Sequence, residues 1–100
     1  MTVFIQPNKL EHHRLGITAS RKVSHDAVGR NRLKRLLRET FRLSNGTLER
    51  LQVRYDWVLN AKRSLLHVKV AASLQDFQEI IARVESAERG HSNATEQHNP

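Results

Sequence analysis

The sequence predicts an α+β fold in the order β-β-α-β-α, built on a sheet of three strands. Three observations carry that expectation. The segment Arg14 to Lys22 alternates between apolar and polar residues as far as Ser20 and ends in two basic residues. Two later segments repeat apolar residues at helical spacing, and an apolar run from Tyr55 to Ala61 lies between them. A period of two places successive side chains on opposite faces of a strand, whereas a period of 3.6 gathers them on one side of a helix.

Thr2 to Gln6 is rich in β-branched and aromatic residues, and Pro7-Asn8 stops it, so it reads as a strand and a loop. In the second strand Leu15, Ile17 and Ala19 face one way, while Gly16, Thr18, Ser20 and Lys22 face the other. Ser24 or Asp26 can cap the helix that follows, which runs from about Asp26 to Leu43 and is expected to close at Asn45-Gly46 in a left-handed turn. Leu33, Leu36, Leu37 and Phe41 form its apolar stripe. Tyr55 to Ala61 carries Trp57, Val58 and Leu59, apolar on both faces, which suits an interior strand. Ser64 to Val70 reads mostly as loop. A second helix over Ser73 to Glu88 presents Leu74, Phe77, Ile80, Ile81 and Val84, with Ser73 and Asp76 as a capping pair. The expected organisation is one domain over residues 1–89 and a disordered polar tail over residues 90–100.

Charge decides the direction of the functional argument. The formal net charge is +7, and between Arg14 and Arg42 nine basic residues face only two acids, Asp26 and Glu39. Basic and acidic residues cancel over the rest of the chain. Such a one-signed concentration repels itself unless an anion relieves it, which points to a polyanionic partner. On the first helix Asn31, Arg32, Lys34, Arg35, Arg38 and Arg42 fan away from the leucines, with Arg30 at the boundary. Arginine grips phosphate bidentately and stacks on bases, and an asparagine amide can read a base edge.

Nothing in the sequence gathers a catalytic site. The six histidines are scattered, without zinc spacing, and His12-His13 reads as a solvated loop pair. Gly16, Gly29, Gly46 and Gly90 are isolated, so no phosphate-cradling loop forms, and the acids occur singly. With no cysteine, disulfides and thiolate metal sites are excluded. No apolar run approaches a membrane span, and the N-terminus lacks the pattern of a signal peptide, so a cytoplasmic location is the default. Neither a membrane nor a small-molecule substrate is expected.

The run Arg14-Leu-Gly-Ile-Thr-Ala-Ser-Arg-Lys22, then Ala27-Val-Gly-Arg30-Asn-Arg-Leu-Lys-Arg-Leu-Leu-Arg-Glu-Thr-Phe41, resembles the protein component of bacterial ribonuclease P. Tyr55-Asp-Trp-Val-Leu-Asn-Ala-Lys-Arg63 is similar to the family's last strand. The resemblance implies a two-layer α/β sandwich with a mixed sheet and a left-handed crossover around the basic helix, where handedness rules alone favour a right-handed one. It implies a subunit of the enzyme that removes the 5′ leader from precursor tRNA, with the RNA subunit and its Mg2+ performing the hydrolysis. On that reading the protein itself binds no cofactor, and its partners are the ribonuclease P RNA and precursor tRNA. The Arg-Asn-Arg helix would supply RNA contacts through Arg30, Asn31, Arg32, Lys34, Arg35, Arg38 and Arg42. The leader cleft would draw on Thr18, Ser20, Arg21, Lys22 and Phe4. Family members begin with a further helix and strand that bring aromatic residues to that cleft. Here Met1 falls just before the equivalent of the second strand, so the chain reads as shortened at its N-terminus. The competing readings are another RNA binder, ribosomal or chaperone, and a helix-turn-helix DNA-binding module. The last requires a positioning helix where this sequence places a strand.

Overall fold

The computed structural model describes residues 1–19 and 26–98, with side chains described as far as residue 90. Strands β1 (Thr2–Pro7), β2 (Arg14–Thr18) and β3 (Tyr55–Asn60) form one sheet in the order β1-β3-β2. β3 is central, antiparallel to β1 with Phe4 opposite Val58 and parallel to β2 with Gly16 opposite Val58. The sheet is therefore mixed, as expected. Helices α1 (Ala27–Leu43), α2 (Asn45–Leu48) and α3 (Val70–His98) complete the fold, with a 3-10 turn at Arg63–Leu65. β2 is the element described before α1, so no helix-turn-helix stands among the described residues.

Alternation in β3 builds the core. Tyr55, Trp57 and Leu59 are buried, while Asp56, Val58 and Asn60 are half-buried on the opposite face. Onto the first face α1 delivers Leu33 and Leu37, and α3 delivers Phe77 and Ile81, all essentially inaccessible to water. Phe77 meets Trp57 edge-on at 5.5 Å and Phe41 at 6.0 Å between centroids. The two helices also share a polar contact that apolar patterning does not reveal. Thr40 Oγ1 and Ser73 Oγ lie 2.8 Å apart in full burial, and Thr40 donates its own proton to the Leu36 carbonyl.

Several boundaries differ from the sequence expectation, each for a physical reason. The start of α1 is as expected, with Asp26, one of the two candidate caps, accepting the Gly29 N–H. At the other end Asn45-Gly46 makes no left-handed turn. Ser44 closes the helix, its N–H on the Phe41 carbonyl and its hydroxyl on that of Thr40, and Asn45 starts α2, which brings Leu48 into the core. α3 begins at Val70, so Ser73 is inside the helix and does not cap it; its hydroxyl serves Thr40 instead. Leu65 of the 3-10 turn is buried, which anchors the segment read as loop. The backbone of α3 continues helical past Glu88 to His98, where an unstructured tail was expected.

His13 corrects the expectation of solvated histidines. It is half-buried, and its Nδ1 accepts the Tyr55 N–H and the Trp57 indole N–H, both at 3.0 Å. Its Nε2 donates to the Leu48 carbonyl at 3.1 Å.

Candidate nucleic-acid interface

With Leu33 and Leu37 pinned in the core, the helical period turns the basic residues of α1 outward. Asn31, Arg32, Arg35, Arg38 and Arg42 are exposed, and Lys34 and Arg30 are half-buried. Arg42 is spent on Glu39 three residues back, which holds that carboxyl below its usual range by hydrogen bond and charge. Arg32, Lys34, Arg35 and Arg38 form no ion pair among the described residues. From Arg32 to Arg42 the row extends ~15 Å along the axis, at 1.5 Å per residue.

The row continues onto the sheet. Lys34 and Arg38 border a hollow of about 270 Å3 floored by Leu15 and Ile17 of β2, an edge strand beside α1. Beyond that edge lies the sheet face turned away from the core. Register puts Phe4, Val58 and Gly16 in one row across it, and Thr2, Asn60 and Thr18 in the next. Phe4 is 62% exposed, and so shares the open face with Thr18. Thr18 donates to the Asn60 side-chain oxygen at 2.6 Å. In the third row Arg14 forks onto Asp56 at 2.6 and 2.7 Å. That guanidinium first, and the Asn8 amide second, hold the Asp56 carboxyl down at about 2.

Ser20, Arg21 and Lys22, expected at the same cleft, lie outside the described residues. On the same sheet face the register places Gly16, Val58 and Asn60 beside Phe4 and Thr18. Strand pairing was the missing information, since Asn60 lies 42 residues from the Thr18 it bonds. It also brings a second basic segment to α1. From Trp57 to Gln75 the chain holds Lys62, Arg63 and Lys69 and no acid, a run concealed when charges are balanced over the whole chain. Among the described residues no three metal-ligating side chains converge, and no helix is long and apolar enough to cross a membrane.

Residues 1–85 match the family described as Ribonuclease P. The "Ribonuclease P protein component" of Methylococcus capsulatus is 43% identical over 75 residues, covering 75% of this chain and 56% of that protein. The Haemophilus influenzae protein of the same name is 39% identical over 83 residues, 83% of this chain and 66% of the relative. The chain thus spans between about half and two thirds of the length of these curated relatives. The solved RNase P protein of Thermotoga maritima superposes with a TM-score of 0.70 at 29% identity, covering 83% of this chain and 76% of that one. The family match over residues 1–85, the curated relatives and the superposition agree: this chain belongs to the ribonuclease P protein family.

Proposed function

We propose that this chain acts as the protein subunit of ribonuclease P, assisting a catalytic RNA in removing the 5′ leader of precursor tRNA in the cytoplasm. The observation that carries the reading is the row of unpaired cations on α1, running to the edge of an open sheet face that bears an exposed aromatic ring. Arg32, Lys34, Arg35 and Arg38 would hold RNA phosphates, and Asn31 and Arg30 would extend that contact along the first turns. An extended single strand suits the sheet face. A base can stack on Phe4, and the Thr18–Asn60 pair and Arg14 offer polar partners beside it. Arg42, tied to Glu39, would contribute less than its neighbours. The expected role of Arg21, Ser20 and Lys22 extends the same cleft.

The hydrolysis would belong to the RNA subunit and its Mg2+. This chain's part is to bind and orient. Reconstitution with the cognate ribonuclease P RNA tests the reading directly. The protein should raise pre-tRNA cleavage by that RNA at limiting Mg2+, with the cut at the leader junction. RNA binding without any stimulation would instead favour a ribosomal or chaperone role.

A further inference from the structure

α1 and the segment following β3 enclose a second hollow, of about 490 Å3, distinct from the sheet face. Leu36, Leu66 and Val68 give it an apolar floor. Its rim carries Arg32 and Arg35 from α1, with His67 and Lys69 from the opposing segment. All four rim residues are exposed, and none of their side chains has a hydrogen-bond or ion-pair partner among the described residues. Glu39 stands one turn beyond Arg35, kept ionised by Arg42. An apolar slot rimmed by three unpaired cations, Arg32, Arg35 and Lys69, is an unusual surface. Water hydrates its floor poorly, and its rim repels itself until an anion arrives.

Charge complementarity selects the occupant. An extended phosphate backbone alone would satisfy the rim and leave the floor wet. An acidic peptide would supply charge without a flat group for the slot. A nucleotide supplies both. We infer that this hollow receives one unstacked nucleotide of the bound RNA, its base on Leu36, Leu66 and Val68 beside the His67 ring, its phosphates on Arg32, Arg35 and Lys69. The inference rests on the RNA-binding reading of α1 and adds a base-holding pocket to it. Polarity along the hollow orients the guest. Phosphate belongs at the Arg32 end, and a base amino group can donate to Glu39 at the other, which favours adenine, cytosine or guanine over uracil, the one base without such a group.

Amide NMR titrations of the whole chain with adenosine 5′-monophosphate, uridine 5′-monophosphate and inorganic phosphate test this. The adenine nucleotide should shift the amides of Leu66, Val68 and Lys69 together with those of Arg32 and Leu36, and more strongly than the uracil nucleotide does. Phosphate should move only the rim. Identical patterns for nucleotide and phosphate, or an acidic peptide that shifts the floor amides in the nucleotide's place, would overturn the pocket. The paired variants His67→Ala and Lys69→Ala change exposed residues and leave the core intact. Together they should weaken binding of the ribonuclease P RNA roughly tenfold and lower the salt slope by about one phosphate's worth, ~0.7–0.9. If RNA binding depends on α1 but ignores this pair, the pocket fails and the interface stands. If RNA binding ignores α1 as well, both readings fail.

Discussion

The indole N–H of Trp57 donates to His13 Nδ1 at 3.0 Å, the same nitrogen that accepts the Tyr55 amide from the start of that strand. One lone pair thus serves two donors at the start of the central strand. The ring's proton is committed to Nε2, which holds the Leu48 carbonyl. The imidazole also stacks on Tyr55 at 6.1 Å between centroids and ties β3 to α2.

Removing His13 should therefore damage the fold well beyond the loss of one loop side chain. His13→Ala leaves two donors without a partner, each costing about 1–3 kcal/mol when buried. A loss of ~2–4 kcal/mol would lower the melting temperature by roughly 10–25 °C in a domain of this size. His12→Ala, one residue away and exposed, should shift it by no more than a few degrees. Equal melts for the two variants would contradict this account of His13.

The basic helix makes an opposite kind of prediction, in which binding changes and stability does not. Arg32, Arg35 and Arg38 are exposed and unpaired, so Arg32→Ala/Arg35→Ala/Arg38→Ala should melt like the parent. Its affinity for ribonuclease P RNA should fall, and the log-log salt slope should shrink by about 2–3, since each phosphate no longer neutralised removes ~0.7–0.9. Filter binding over a salt series measures both. A triple mutant with the parent's slope would remove α1 from the interface.

How far the sequence could be read depended on the range of the interaction. The cap at Asp26 and the stripe at Leu33 and Leu37 are written within a few residues, so periodicity finds them. His13 looked solvated because its partners stand 35 to 44 residues away, where no local pattern reaches. Ser73 and Asp76 have the spacing of a cap, but spacing cannot tell a hydroxyl that caps its own helix from one bonded to Thr40 on another. Asn45-Gly46 suits a left-handed turn locally, yet burial of Leu48 draws the chain into a new helical turn. The rim made by His67 and Lys69 becomes legible only once Leu65 anchors that segment and packing sets it against α1.

Acid should loosen the rim of the open sheet face. Asp56 titrates at about 2 in the fold because Arg14 and Asn8 hydrogen-bond its ionised form, against an ordinary value of 3.8. A depressed carboxyl stabilises the fold at pH above the unfolded value, and that contribution is lost as pH falls through about 4 towards 2. Urea midpoints should therefore decline over this window. Asp56→Asn should flatten the decline, since it has no proton to take up there. An unchanged pH profile in the variant would show that Arg14–Asp56 contributes nothing, which is common for exposed pairs.

The sheet face itself can be tested by adding and removing bulk in one row. Phe4, Val58 and Gly16 stand side by side across the three strands, with a ring at one edge and no side chain at the other. A Cβ built on Gly16 meets Val58 Cγ2 at 3.8 Å and the Trp57 carbonyl at 3.9 Å, ordinary contacts that require no shift. Gly16 is exposed, so the valine branches have open space, and Gly16→Val should fold; restricting the glycine's freedom should raise stability by ~0.5–1 kcal/mol. The added branches would nevertheless stand where the proposed leader path runs close to the sheet. Phe4→Ala works in the other direction, removing an exposed ring that supports no core. Stacking of one base on an aromatic ring contributes about 1–3 kcal/mol, so this variant should weaken leader-bearing pre-tRNA by roughly five- to a hundredfold. Mature tRNA, which lacks the leader, should bind both variants as it binds the parent. The decisive measurement is the ratio of affinities for pre-tRNA and mature tRNA. If Gly16→Val is more stable yet loses that ratio, and Phe4→Ala loses it without a change in melting, the leader lies along this row. If the ratio survives both substitutions, the leader does not run over Phe4 and Gly16, and the RNA contact is confined to α1.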